Sequence, residues 1–242
     1  MKVQIFDTNT GFYHFELDSV QSTFHLHPAT EIIIAREGTF SITTTHKTSQ
    51  SLRFAVIDAG VRHRLEAEKA QLTILMVEHQ SLVVAECMRC CGLLLHNSLG
   101  CYTSEKDSEQ WNTLMSKLKQ SIRREAISRH YDERVRRVVE HIGSNHVEYH
   151  TMIPTLQELV HLSESRLSHL FKENVGVSLK KYLLWSKLKS VINLHLYQQE
   201  DVFSALIQSG FYDHAHFCRA FKMMLGVPPT FAYNSRSVQF FA

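Results

Sequence analysis

The residues with the clearest chemical potential lie in FHLHPATEIIIAREG, residues 24–38, where two histidines and a glutamate precede a strand-like apolar run. His25 and His27 stand two apart, so on an extended strand both imidazoles point to one face, and Glu31 shares that face if the strand stays regular. Imidazole and carboxylate donors together suit a borderline divalent ion. Gly38 then permits a turn. CMRCC, residues 87–91, offers thiolates for a soft metal or a redox switch, but no second C-x-x-C pair stands near it, so buried structural cysteine is the expectation. His141, His146, His150 and His161 show no clear carboxylate companion at helical spacing, and surface or capping roles are expected for them.

The rest of the chain limits what these groups serve. With 242 residues and 44% apolar composition it has material for two ordinary hydrophobic cores. The longest aliphatic run, Ile32 to Ala35, is far too short to span a bilayer, and no apolar segment of signal-peptide length follows Met1 and Lys2, which predicts a cytoplasmic protein with no membrane partner. Five cysteines, an odd number, argue against a disulfide framework and for a reducing compartment. The net charge is only +2. Its distribution is slightly uneven, with 13 Lys/Arg against 14 Asp/Glu in residues 1–125 and 13 against 10 in residues 126–242.

The hydrophobic period divides the chain. Up to about residue 80, short runs such as GFYHFEL, EIIIA, TFSITTT and LTILMVE alternate with turn formers, which predicts a small antiparallel β domain. Residues 81–104 are ambiguous between a last strand and a connecting helix. From Asp107 the period is helical, with Trp111, Leu114, Met115, Leu118 and Ile122 on one face. Such a helix would pack on the β domain or on a second copy of itself, making a homodimer reasonable. Another helix begins near Tyr131, and helical patterns continue to about Tyr233.

DVFSALIQSGFYDHAHFCRAFKMMLGVPP, residues 201–229, is the most informative stretch. Asp201 is a natural N-cap, Gly210 supplies a sharp helix-to-helix turn, and a second helix follows from about Asp213 to Met224. Phe217, Ala220 and Phe221 face inward; His214, Ala215, Cys218 and Arg219 face out. Gly226, Pro228 and Pro229 stop the helix. This is a helix-turn-helix pattern, and GFYDHAHFCRAFKMMLGVPPTFAY closely resembles the C-terminal signature of the AraC/XylS family of transcription regulators. That family carries two such units joined by a long helix. SRLSHLFKENVG, residues 165–176, repeats the Phe-Lys and terminal Gly of FCRAFKMMLG, and the joining helix is expected from about Ser178 to Tyr197, with Tyr182, Leu183, Leu188 and Ile192 in its core. One departure concerns the first unit, where LVHLSES lacks the glycine usual before the turn serine. Either Ile153 and Pro154 take part in a first turn or about three residues are missing.

The resemblance implies double-stranded promoter or operator DNA as partner, since a reader helix enters the major groove while flanking cations hold phosphates. It implies His214, Ala215, Cys218 and Arg219 as readers in the second unit and Ser165, Ser168 and His169 in the first, with Arg166, Lys172 and Lys222 toward phosphate. It further implies activation through RNA polymerase as the commoner role in the family, with repression left open. The expected fold class is α+β in two domains: a cupin-like β-barrel over 1–104, a linker or dimerisation helix over 105–126, and an all-α domain with two helix-turn-helix units over 127–242.

The opening stretch acquires a second resemblance. The H-x-H-x3-E-x6-G spacing is similar to the first motif of the cupin barrel, and DAGVRH, residues 58–63, to its second, with Asp58 where the usual proline stands. A cupin would place His25, His27, Glu31 and His63 around one metal ion, with Zn, Ni, Mn and Fe all compatible. The opposing reading is that the four residues are a relic of a barrel reused for an organic effector. Alternation along the strands suggests Phe24, Ile33, Phe40 and Phe54 as pocket walls, or as ordinary barrel core. A regulator sensing a metal or small molecule, and not an enzyme, is the expected function; the alternative is a cupin metalloenzyme of dioxygenase or isomerase type with an appended DNA-binding domain.

Overall fold

A computed structural model describes residues 2–8, 11–78, 100–105, 132–145 and 149–230, together with positions 113, 116 and 117. The expected linker helix and the cysteine stretch at 87–91 therefore fall almost wholly outside the described residues.

Among the described residues there are ten strands: β1 (Lys2–Asp7), β2 (Phe12–Leu17), β3 (Val20–Gln21), β4 (Ala29–Glu37), β5 (Phe40–Thr44), β6 (Thr48–Leu52), β7 (Phe54–Ile57), β8 (His63–Ala67), β9 (Gln71–Glu78) and β10 (Cys101–Ser104). They make a six-stranded sheet in the order β1-β2-β9-β4-β7-β10 and a four-stranded sheet in the order β3-β8-β5-β6. Their pairings are antiparallel. The central strand β4 is buried on both faces from Ala29 to Ala35, which explains why EIIIA reads as a continuous apolar run and not as an alternating one. In its register Glu31 stands between Met76 of β9 and Ile57 of β7. Gly38 turns the chain from β4 into β5 at φ +70°, a conformation that favours glycine.

The helical half contains α1 (Glu133–Ser144), α2 (Tyr149–Val160), α3 (Glu164–Val175), α4 (Leu179–Tyr197), α5 (Val202–Gln208) and α6 (His214–Leu225). Side chains of Asp132, Ser163, Ser178, Asp201 and Asp213 cap the N-termini of α1, α3, α4, α5 and α6, satisfying amides that have no partner inside the helix. Asp201, Gly210 at φ +75° and the span of α6 follow the sequence pattern closely. So does α4, whose Tyr182, Leu183 and Leu188 are buried. In the first unit Ile153 and Pro154 lie inside the helix, past its first turn. Helix α2 runs through both residues, and His161 adopts φ +53° at the turn, where the family usually has glycine.

The two halves are docked. Glu78, 1% exposed at the end of β9, accepts from Trp185 Nε1 at 2.8 Å and Lys189 Nζ at 2.9 Å, both on α4, and also from the Tyr13 hydroxyl. The Phe6 amide donates to the Tyr197 hydroxyl at 3.0 Å. A buried carboxylate is tolerated where a cation and hydrogen-bond donors surround it, as here.

Candidate functional site

His25, His27, Glu31 and His63 converge. Each offers one donor atom, these atoms lie within 4.8 Å of one another, and all four residues are buried. The elements that bring them together differ from the expected regular strand. His25 forms an isolated bridge to His63 at the start of β8, and His27 lies in the irregular segment before Pro28 and β4. The histidines thus reach one point through loop path, and only Glu31 does so through strand alternation. His63 is oriented after the Asp58–Gly60 turn, with Gly60 at φ +80°.

Hydrogen bonds fix the tautomers. Nδ1 of His25 lies 2.9 Å from the Thr23 carbonyl, Nδ1 of His27 2.9 Å from that of Ala29, and Nδ1 of His63 2.9 Å from that of Val61. A carbonyl only accepts, so each Nδ1 carries a proton and Nε2 is the ring atom left to face the centre. Metal-binding histidines are held in this way by their outer hydrogen bonds. Two of these nitrogens face Glu31 Oε2, His63 at 2.9 Å and His27 at 3.4 Å. The His63 contact lacks the alignment of a hydrogen bond, leaving that buried nitrogen without a partner. Nitrogens this close to a carboxylate oxygen share a proton or a cation with it, and three imidazoles with one carboxylate are a donor set that fits a divalent ion.

Charge balance tells the same story. Burial, reinforced by the neighbouring imidazoles of His63 and His27, pushes His25 down to about 3, so it stays neutral. Burial alone would raise the Glu31 carboxyl, but the imidazoles of His27 and His63 outweigh it and hold the group below the usual carboxylate range. For His63 burial works downward, and the Glu31 carboxylate reverses the sign and raises it. The centre therefore keeps one anionic and at least one neutral donor near neutral pH, the combination an ion requires.

A cavity of about 200 Å³ opens from this centre. His25, His27 and Glu31 form one end, and its walls come from both halves of the protein: Phe15 and Leu17 of β2, Leu196 of α4, and Leu225 and Val227 at the end of α6. None of the four suggested wall residues lines it, and the alternative of ordinary core holds for Ile33 and Phe40. Phe24 is 37% exposed beneath Arg62 and Arg64, Phe54 packs on Tyr102, and Ile33 and Phe40 belong to the general core. Alternation assigns a residue to a sheet face, but it does not show where along that face the interior stays open. Trp185 was the missed residue; its signal was a large aromatic within a lysine-rich helix.

The expected DNA readers are displayed as a face. In α3, Ser165, Arg166, His169 and Lys172 are exposed and Ser168 half-buried; in α6, His214, Ala215, Arg219 and Lys222 are exposed and Cys218 half-buried. Leu167 and Phe171 of α3, and Phe217, Ala220 and Phe221 of α6, turn into the core. His169 lies 3.3 Å from Glu173 along the same face. Each helix ends in a left-handed glycine, Gly176 at φ +81° and Gly226 at φ +74°. Both glycines touch segments that lead to histidines of the candidate centre. A Cβ on Gly176 would lie 2.8 Å from the Ala59 carbonyl oxygen, and one on Gly226 would lie 2.5 Å from His25 Nδ1. The Gly226 carbonyl accepts from the Thr23 amide at 2.8 Å.

Fold and site together define a two-part protein, a β half of two antiparallel sheets joined to a helical half with two helix-turn-helix units. Residues 156–233 match the family model described as a helix-turn-helix domain. The arabinose operon regulatory protein of Salmonella typhimurium is 29% identical over 99 residues, 41% of this chain and 35% of that protein. An uncharacterized HTH-type transcriptional regulator of Haemophilus influenzae is 28% identical over 78 residues, 32% of this chain and 26% of that protein. The matches thus span about a third of those relatives' own lengths. Unsaturated-fatty-acid-bound wild-type ToxT from Vibrio cholerae shares the fold over 97% of this chain and 99% of its own, with TM-score 0.54 and 13% identity. ToxT from the Vibrio cholerae strain O395 covers 92% and 96%, with TM-score 0.55 and 12% identity. The similarity to these regulators in sequence is thus carried by the helix-turn-helix part of the chain, and the likeness in fold extends over both halves. Among the described residues no helix is long and apolar enough to cross a membrane.

Proposed function

We propose that this protein is a sequence-specific DNA-binding transcription regulator of the cytoplasm whose barrel senses a divalent metal ion or a small molecule. The observation that carries the DNA reading is the pair of reader helices, alike in their buried Phe, exposed basic face and C-terminal glycine. Ser165, Ser168, His169, His214, Ala215, Cys218 and Arg219 read base edges; Arg166, Lys172 and Lys222 hold phosphate. Selection of binding sites from random duplex DNA tests this. The expected product is a two-block site with blocks about 10 base pairs apart, and replacing Arg219 by Ala weakens it about 5- to 150-fold. A pool that stays random after repeated selection defeats the reading.

His25, His27, Glu31 and His63 are the residues that would hold the ion, a reading supported by four buried donor atoms within 4.8 Å of one another. When bound, such an ion supplies a positive charge with open coordination positions. We favour a sensor over a metalloenzyme because helices of the DNA-binding half wall the cavity beside the centre. Elemental analysis after exposure to Zn, Ni, Mn and Fe salts tests the ion: one equivalent in the parent, lost in both His25→Ala and His63→Ala, is expected. Background levels in the parent would leave a barrel that responds to organic effectors alone. Activation through RNA polymerase and dimerisation through the 105–126 segment complete the proposal, in line with the family resemblance.

A further inference from the structure

Between the two reader helices the β half presents cations of its own. Residues 22–27 run antiparallel to residues 60–65. His25 and His63 exchange backbone hydrogen bonds at 2.9 and 3.0 Å, and the Gly60 amide donates to the His27 carbonyl at 2.9 Å. One end of this ribbon meets α6, where the Thr23 amide and hydroxyl both donate to the Gly226 carbonyl. The other end meets α3, where Gly60 packs on the backbone of Gly176. The ribbon therefore runs from the C-terminal glycine of one reader helix to that of the other. His25 and His63 occupy its buried face, and alternation turns Phe24, Arg62 and Arg64 outward. Phe24 is 37% exposed and Arg62 is exposed. The Cζ atoms of Arg62 and Arg64 lie 5.3 and 5.5 Å from the centre of the Phe24 ring, a cation–π arrangement that restricts where the two cations stand. Arg64 is shared with Glu66 at 3.1 Å, whereas Arg62 has no acidic partner among the described residues. Lys172 and Lys222 stand one turn before the two glycines, their carbonyls accepting from the glycine amides. Lys172, Arg62, Arg64 and Lys222 thus follow one another from one reader helix to the other.

Two helices in successive major grooves leave a stretch of sugar-phosphate backbone between them, and that backbone is densely anionic. A row of cations joining the helices fits such a polyanion. We propose that the outer face of this ribbon is a third DNA contact, in which the β half holds the phosphates between the two major grooves. Arg62 is its principal cation, Arg64 the second, and Phe24 the platform beneath both. The proposal rests on the DNA reading above and assigns to the β half a share of the affinity that carries no base sequence.

The test is the salt dependence of DNA binding by the full chain, measured over a series of KCl concentrations with the selected two-block duplex and with a random duplex of equal length. Each phosphate neutralised contributes about 0.9 to the slope of log K against log salt. Arg62→Ala is expected to lower the slope by about that amount and to weaken both duplexes by the same factor. Arg62→Lys keeps the charge and is expected to restore most of the slope. Lys47→Ala removes an exposed cation from the turn between β5 and β6 and is expected to leave the slope unchanged, which separates contact from net charge. Three results overturn the third contact and leave the DNA reading standing: a slope unchanged in Arg62→Ala while Lys172→Ala lowers it, a loss that Arg62→Lys does not restore, or an equal loss in Lys47→Ala. A parent chain that selects no duplex overturns both, so the parent alone tells the two failures apart.

Discussion

At the scale of single residues, what matters is which atom carries a proton. The spacing of His25, His27 and Glu31 is legible in the sequence as a donor set, and His63 joins it through the second cupin-like motif. The tautomers are not legible, because the Thr23, Ala29 and Val61 carbonyls that fix them are placed by loop geometry. Another residue yields a direct prediction. Cys101 on β10 has its thiol pushed up to about 11, first by burial and then by the charges of Asp58 and Glu31. The thiolate is the reactive form, and at pH 8 only about one Cys101 in a thousand would be ionised. Iodoacetamide labelling of the native chain at pH 8, read by peptide mass spectrometry, should leave Cys101 unmodified while the same peptide labels fully in denaturant. Equal labelling in both would mean that the β10 edge is open.

At the scale of elements, the second helix-turn-helix was legible almost residue by residue, since Asp201, Gly210, Asp213 and Gly226 each signal a local backbone requirement. The first was less so because His161 takes a left-handed conformation that glycine usually marks. Sheet order was not legible, because pairings such as β2 with β9 join segments some sixty residues apart, a distance at which local periodicity is silent. Nor was the purpose of the repeated glycine, which docks each reader helix on the barrel. Gly226→Ala must place a side chain at φ +74° and 2.5 Å from His25 Nδ1, so a loss of about 1–3 kcal/mol is expected, measured by urea denaturation. A cost below about 0.5 kcal/mol would show that α6 is not seated on Thr23 and His25. Glu78 holds the same interface from the other side. Glu78→Ala strands Lys189 and the indole of Trp185, and removing one partner of a buried pair costs about 3–5 kcal/mol. Faster cleavage between barrel and helices in limited proteolysis should accompany that loss.

At the scale of the molecule, the loops that carry His25 and His63 are the same loops on which Gly226 and Gly176 rest. An ion that draws the four donors together must also set where those loops stand, and with them the separation of the two reader helices. This gives the sensor a shorter path to DNA than the 105–126 segment suggested by the sequence. On the proposed reading the two helices meet successive major grooves, so their separation would decide affinity. Inserting five base pairs between the two blocks of the selected site puts the second block on the opposite face of the duplex, and binding should fall at least about 100-fold. Coupling must also run in reverse: if the ion changes DNA affinity by some factor, the DNA changes ion affinity by the same factor, about 5- to 150-fold where such coupling is found. Ion titrations with and without the selected duplex, beside DNA titrations with and without the ion, check this directly. Equal factors above unity support a barrel that controls DNA reading through the glycine contacts. Gly226→Ala should shrink both factors together, and a variant that keeps the full coupling would assign control to another path.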